Sequence, residues 1–74
     1  MGSFYMNELN IRVGGRIKQK RLELKLSREK LASEAEISEK FLYDIEVGNK
    51  GMSVETLYKI KSVLGVSADW LLEG

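Results

Sequence analysis

The 74-residue chain contains no histidine, no cysteine and no proline. Without cysteine there is no disulfide framework, no Cys-type zinc site and no thiol nucleophile. Without histidine there is no Ser-His-Asp or Cys-His device, and the usual imidazole metal ligands are missing. No catalytic residue, metal, cofactor or small-molecule ligand is therefore expected, and the chain does not read as an enzyme. Without proline the strongest helix breaker is gone, which favours an all-helical fold. Long hydrophobic runs are missing as well. The longest, among them Phe41-Leu42-Tyr43 and Trp70-Leu71-Leu72, have three residues, far too few for a bilayer span or a signal-peptide core. No membrane association is expected, and the expected compartment is the cytoplasm.

What is present suits one small folded domain, with 43% apolar residues. The net charge of +1 conceals an asymmetry. Residues 1–30 carry eight basic groups (Arg12, Arg16, Lys18, Lys20, Arg21, Lys25, Arg28, Lys30) against three acids, whereas residues 31–74 carry four against eight. A basic first third on a nearly neutral chain is either an electrostatic footprint for a polyanion or a set of solvated helix faces.

Residues 1–9 show no sustained period and read as a flexible arm, with Met1-Gly2-Ser3-Phe4-Tyr5 ahead of Met6 as leader sequence. Residues 10–74 form the domain. Val13, Ile17 and Leu24, with Arg21 between, give the first helix an inward face. Ser27, Ser38, Ser53 and Ser67 are each placed as an N-cap, which marks four further helix starts. Gly48 and Gly65 are placed as stops. The inward residues are Leu31, Ala32 and Ala35 in the second helix, and Leu42 and Ile45 in the third. The fourth has Val54, Leu57, Ile60 and Leu64, and the fifth holds Trp70, Leu71 and Leu72.

Only Glu36-Ile37-Ser38 separates the second and third helical patterns, which suits two short helices crossing steeply. That leaves Ser38, Glu39, Lys40, Tyr43, Asp44 and Val47 on the outward face of the third. The ordered stretches Arg16-Ile17-Lys18, Leu26-Ser27, Leu31-Ala32, Ile37-Ser38 and Ile45-Glu46-x-Gly48 continue with Ser53-Val54-Glu55-Thr56-Leu57, Leu64-Gly65-Val66-Ser67 and Asp69-Trp70-Leu71-Leu72. Together they resemble the Cro/phage-repressor type, or XRE-like, helix-turn-helix regulators over residues 15–74. The resemblance implies a compact five-helix, all-α, lambda-repressor-like DNA-binding domain with helices 2 and 3 as the helix-turn-helix. It also implies double-stranded DNA as the partner and a homodimer on a palindromic operator.

Three departures stand out. Lys25 and Glu36 occupy positions where the family usually has glycine, and a non-glycine residue at positive φ costs about 1–2 kcal/mol. Arg28 stands where the family often has glutamine. The recognition helix is acidic through Glu39 and Asp44.

By position in the family, Arg21 and Glu46 form a structural ion pair, and both fall on otherwise apolar faces. Arg28, Asn49 and Lys50 match phosphate contacts, or else are solvated ends of their elements. Ser38, Glu39, Lys40, Tyr43 and Asp44 are the base-reading candidates, an acid there accepting from a cytosine amino group. Phe41 reads as core or groove-edge packing. Trp70 completes the core, or joins Leu71 and Leu72 in a two-fold dimer patch. A second reading keeps the fold but turns the acidic helix 3 (Glu36, Glu39, Asp44, Glu46) toward a protein partner.

Overall fold

A computed structural model describes the backbone of residues 2–74 and the side chains from residue 8 onward. It contains five helices: α1 (Gly2–Glu23), α2 (Arg28–Glu34), α3 (Glu39–Glu46), α4 (Val54–Leu64) and α5 (Ala68–Glu73). The described residues form no strand.

The four serines start their helices as the spacing requires. Each side chain accepts from the backbone N–H three residues on, in Ser27–Lys30, Ser38–Phe41, Ser53–Thr56 and Ser67–Trp70. Each cap contributes about 1 kcal/mol, and Glu29, Glu39, Glu55 and Asp69 add an acid to each first turn.

The first four helices end in one repeated turn. Lys25, Glu36, Gly48 and Gly65 all have positive φ, at 60°, 60°, 85° and 70°. In each case the next residue's N–H reaches back five positions: Leu26 to Arg21, Ile37 to Ala32, Asn49 to Asp44 and Val66 to Lys61. After α1, α2 and α4 that next residue is apolar and packs on the core. After α3 it is Asn49.

The core is Val13 and Ile17 of α1, Leu31 and Ala32 of α2 with its cap Ala35, Leu42 and Ile45 of α3, Ile60 and Leu64 of α4, and Leu71 of α5. α1 crosses the end of α3 at Gly14. A Cβ there would collide with the Ile45 carbonyl oxygen and lie 2.9 Å from that of Glu46. Gly48 is also tight, since its Cβ would come within 2.8 Å of the Ile11 Cα.

Four expectations need correction. α1 begins at Gly2, where the spacing suggested an arm through residue 9; a missing apolar period does not prevent a helix when no breaker interrupts it. Leu24 is exposed because α1 ends at Glu23, and Leu26 returns to the core in its place. Val54 is 83% exposed at the open first turn of α4, and Met52 packs inward instead. Leu71 is completely buried, so it belongs to the core and not to a surface patch.

Candidate nucleic-acid interface

The geometry centres on α3. Its inner side, Leu42 and Ile45, is locked into the core, so the helix cannot roll. Its outer side exposes Ser38, Glu39, Lys40, Tyr43 and Val47 as one strip. Asn49 and Lys50 follow immediately, also exposed.

Behind the strip lies the expected ion pair. Arg21 Nε donates to Glu46 Oε2 at 2.7 Å and Nη2 to Oε1 at 3.1 Å, a bidentate grip on a carboxylate whose side chain has no exposed surface. Arg21 Nη1 also donates to the Leu26 carbonyl oxygen at 3.0 Å, tying the end of α1 to its own turn. Arg28 is the third member, with Nε 3.2 Å from Glu46 Oε1. Its guanidinium lies 5.2 Å from the centroid of the Tyr43 ring. Arg28 thus links the buried carboxylate to the exposed strip, a role its sequence position did not reveal.

Asp44 is not outward. It is buried, because the turn after α3 closes over it. Its carbonyl oxygen accepts from the N–H groups of Asn49 (2.8 Å) and Lys50 (3.3 Å). Its carboxylate accepts from Lys40 Nζ at 2.9 and 3.1 Å and lies 3.7 Å from Lys50 Nζ. The Lys40 hydrogen bond, aided by the Lys40 and Lys50 charges and by Asn49, holds its pKa below the usual range against the opposing effect of desolvation. Asp44 therefore drops out of the base-reading set. The i,i+4 spacing of Lys40 and Asp44 was the available signal.

The basic first third is largely engaged inside the molecule. Arg12 pairs with Glu8, Lys20 with Glu23 and Lys30 with Glu34. Arg16 donates to the Leu71 carbonyl oxygen at 2.7 Å, and Lys20 lies 5.5 Å from the half-buried Trp70 ring, so α1 holds the end of α5. Neither contact was read from the sequence. Leu72, exposed, lines a pocket of about 140 Å³ with Leu9, Asn10, Val13, Lys50, Met52 and Leu57. Among the described residues no helix is long and apolar enough to cross a membrane.

A family model described as a helix-turn-helix domain matches residues 14–74. The chain belongs to that family. Control protein C.BamHI of Bacillus amyloliquefaciens is 34% identical over 68 residues, covering 90% of this chain and 84% of that protein. SinR, described as the master regulator for biofilm formation and solved in complex with DNA, superposes with a TM-score of 0.79 at 37% identity, covering 82% of this chain and 98% of that one. The clp gene regulator ClgR of Corynebacterium glutamicum superposes with a TM-score of 0.83 at 26% identity, covering 86% and 68% respectively. The XRE-like resemblance and the five-helix, all-α fold are both borne out.

Proposed function

We propose that this chain is a DNA-binding transcriptional regulator that acts as a homodimer on a palindromic operator, with α3 in the major groove. The observation that carries the reading is the exposed strip Ser38, Glu39, Lys40 and Tyr43 on a helix fixed from behind. A rigid helix end presenting four polar side chains is what groove reading needs. SinR, of the same fold, binds DNA. Arg28, Asn49 and Lys50 flank the strip and suit phosphates, which position a protein without specifying sequence. Leu72, with Leu9 at the same pocket, supplies apolar surface for the two-fold contact.

The alternative, a protein-binding module using an acidic helix 3, loses its charge argument. Glu36 pairs with Lys59 at 3.0 Å, Asp44 with Lys40 and Glu46 with Arg21. Of the four acids invoked, Glu39 alone faces outward without an ion pair among the described residues.

Glu39 makes the sharpest test. The base-edge donors in the major groove are the amino groups of cytosine and adenine. After selection of an operator from random DNA, Glu39→Gln should bind non-specific DNA more tightly and lose about 1–3 kcal/mol of discrimination at one base pair. Competition titrations against operators varied at each position measure this. An unchanged preference at every position removes Glu39 from the reading surface, and failure of the wild type to select any DNA defeats the proposal.

A further inference from the structure

Lys40 and Lys50 come from different elements, the first turn of α3 and the α3–α4 loop, yet both ammonium groups are gathered on one carboxylate. The Asp44 side chain is only 5% exposed, whereas those of Lys40 and Lys50 are 77% and 62% exposed. The acid is sunk and the two cations stand over it toward solvent. Lys40 meets both carboxylate oxygens at 2.9 and 3.1 Å, and Lys50 approaches the same oxygen, Oδ2, at 3.7 Å. The Asp44 main chain also fixes the loop that carries Lys50, through the two N–H donors of Asn49 and Lys50.

We infer that Asp44 is a positioning residue for DNA recognition: it holds the Lys40 and Lys50 ammonium groups at a fixed spacing on the α3 face, so that they engage DNA in one register. The inference rests on the DNA-binding reading above and deepens it. A free lysine is a compact charge on a flexible four-carbon stem, and it follows any nearby phosphate. A lysine whose ammonium is tethered to a buried carboxylate has lost most of that freedom before DNA arrives, which lowers the ordering cost of the correct complex. The tether also offsets about one positive charge. Adventitious contacts with any polyanion are weakened, while the contacts that match the fixed spacing are kept. Asp44 is then a discrimination device that acts through two other residues.

The test uses the whole chain and an operator selected with the wild type. Asp44→Asn keeps the shape and removes the charge. Affinity for non-specific duplex should rise, while the ratio of operator to non-specific affinity should fall about tenfold. In that background Lys50→Gln should cost operator binding less than in the wild type, because the lysine is no longer placed. Equal changes in both affinities would mean that Asp44 acts only as a diffuse negative charge, and would overturn the inference. A second measurement does not depend on the variant folding. In the wild type without DNA, nitrogen-15 relaxation of the lysine ammonium groups should show Lys40 and Lys50 restrained relative to the exposed Lys18. Equal mobility of all three would also overturn it. A wild type that selects no DNA defeats the DNA-binding reading itself, whereas a selected operator with an unchanged ratio in Asp44→Asn defeats only the role given to Asp44.

Discussion

Glu46 and Asp44 lie two residues apart on α3 and both are buried, but they are neutralised by different chemistry. Glu46 faces the junction of α1, α2 and α3 and is gripped by the planar forks of Arg21 and Arg28. Asp44 faces the opposite edge and is met by two lysine ammonium groups whose stems run through solvent. Guanidinium suits the first site because it satisfies a desolvated carboxylate bidentately with little loss of order. Ammonium suits the second because its charge stays accessible from outside. One helix thus carries an internal clamp and an external one, and the acids that made it look repulsive to DNA are mostly spent inside the protein.

The largest expected effect breaks the internal clamp. Arg21→Ala and Glu46→Ala should each cost about 3–5 kcal/mol, since either change strands a buried charge. Thermal melts of both singles and of the double variant check it. The double should cost far less than the sum, and simple additivity would show that the two groups are not coupled.

Gly14→Ala attacks the same junction from the other side. The new Cβ would press on the Ile45 and Glu46 carbonyl oxygens, main-chain atoms that cannot swing away. Overpacking of this kind costs about 1–3 kcal/mol. Gly15→Ala is the control, because a Cβ there meets nothing within 4 Å. Equal denaturation midpoints for the two would mean that α1 does not press on α3.

The external clamp should show itself in acid. The Asp44 pKa is lowered in the folded chain, first by the Lys40 hydrogen bond. The unfolded chain therefore binds a proton more readily than the folded one as the pH drops. The resulting stabilisation is fully present above the unfolded carboxyl value of about 3.9 and disappears as the pH falls through the lower folded value. The stability difference between wild type and Asp44→Asn should accordingly be constant at neutral pH and shrink below about pH 4. A difference that persists unchanged into strong acid would mean that the Asp44 charge is not what stabilises the turn.

The fold was legible wherever a local signal was strong. Four serine caps, the two stop glycines and the Arg21–Glu46 pair all stand where spacing or resemblance placed them. Reading failed where the environment is made by a distant segment. Asp44 points outward on a helical wheel, and it is buried by a loop that comes after the helix ends. Gly14 carries no local signal of its close contact, which exists only once α3 is laid against it. Arg28 reads as a phosphate contact or a solvated first-turn cation, and its link to Glu46 and Tyr43 needs α3 in place beside it. The basic first third reads as either a footprint or solvated faces, because composition cannot tell that Arg16 holds the end of α5 or that Arg21 is buried.

The smallest effect concerns the two turns closed without glycine. Lys25 and Glu36 share a φ of 60°, a conformation that costs a side chain about 1–2 kcal/mol. Glycine removes that strain but enlarges the freedom of the unfolded chain by about 0.4–1 kcal/mol. Lys25→Gly should therefore stabilise by up to about 1.5 kcal/mol. Glu36→Gly gains the same relief but loses the contact with Lys59, whose pKa is raised chiefly by the hydrogen bond it donates to the Glu36 carboxylate. Its net gain should be smaller, although a pair this exposed contributes little. Urea titrations of the two variants should rank Lys25→Gly above Glu36→Gly, with both at or above the wild type. The reverse order would mean that strain is not shared equally by the two turns and that the α2–α3 turn is the more strained. A clear loss at either position would mean that its side chain contributes more than its backbone costs.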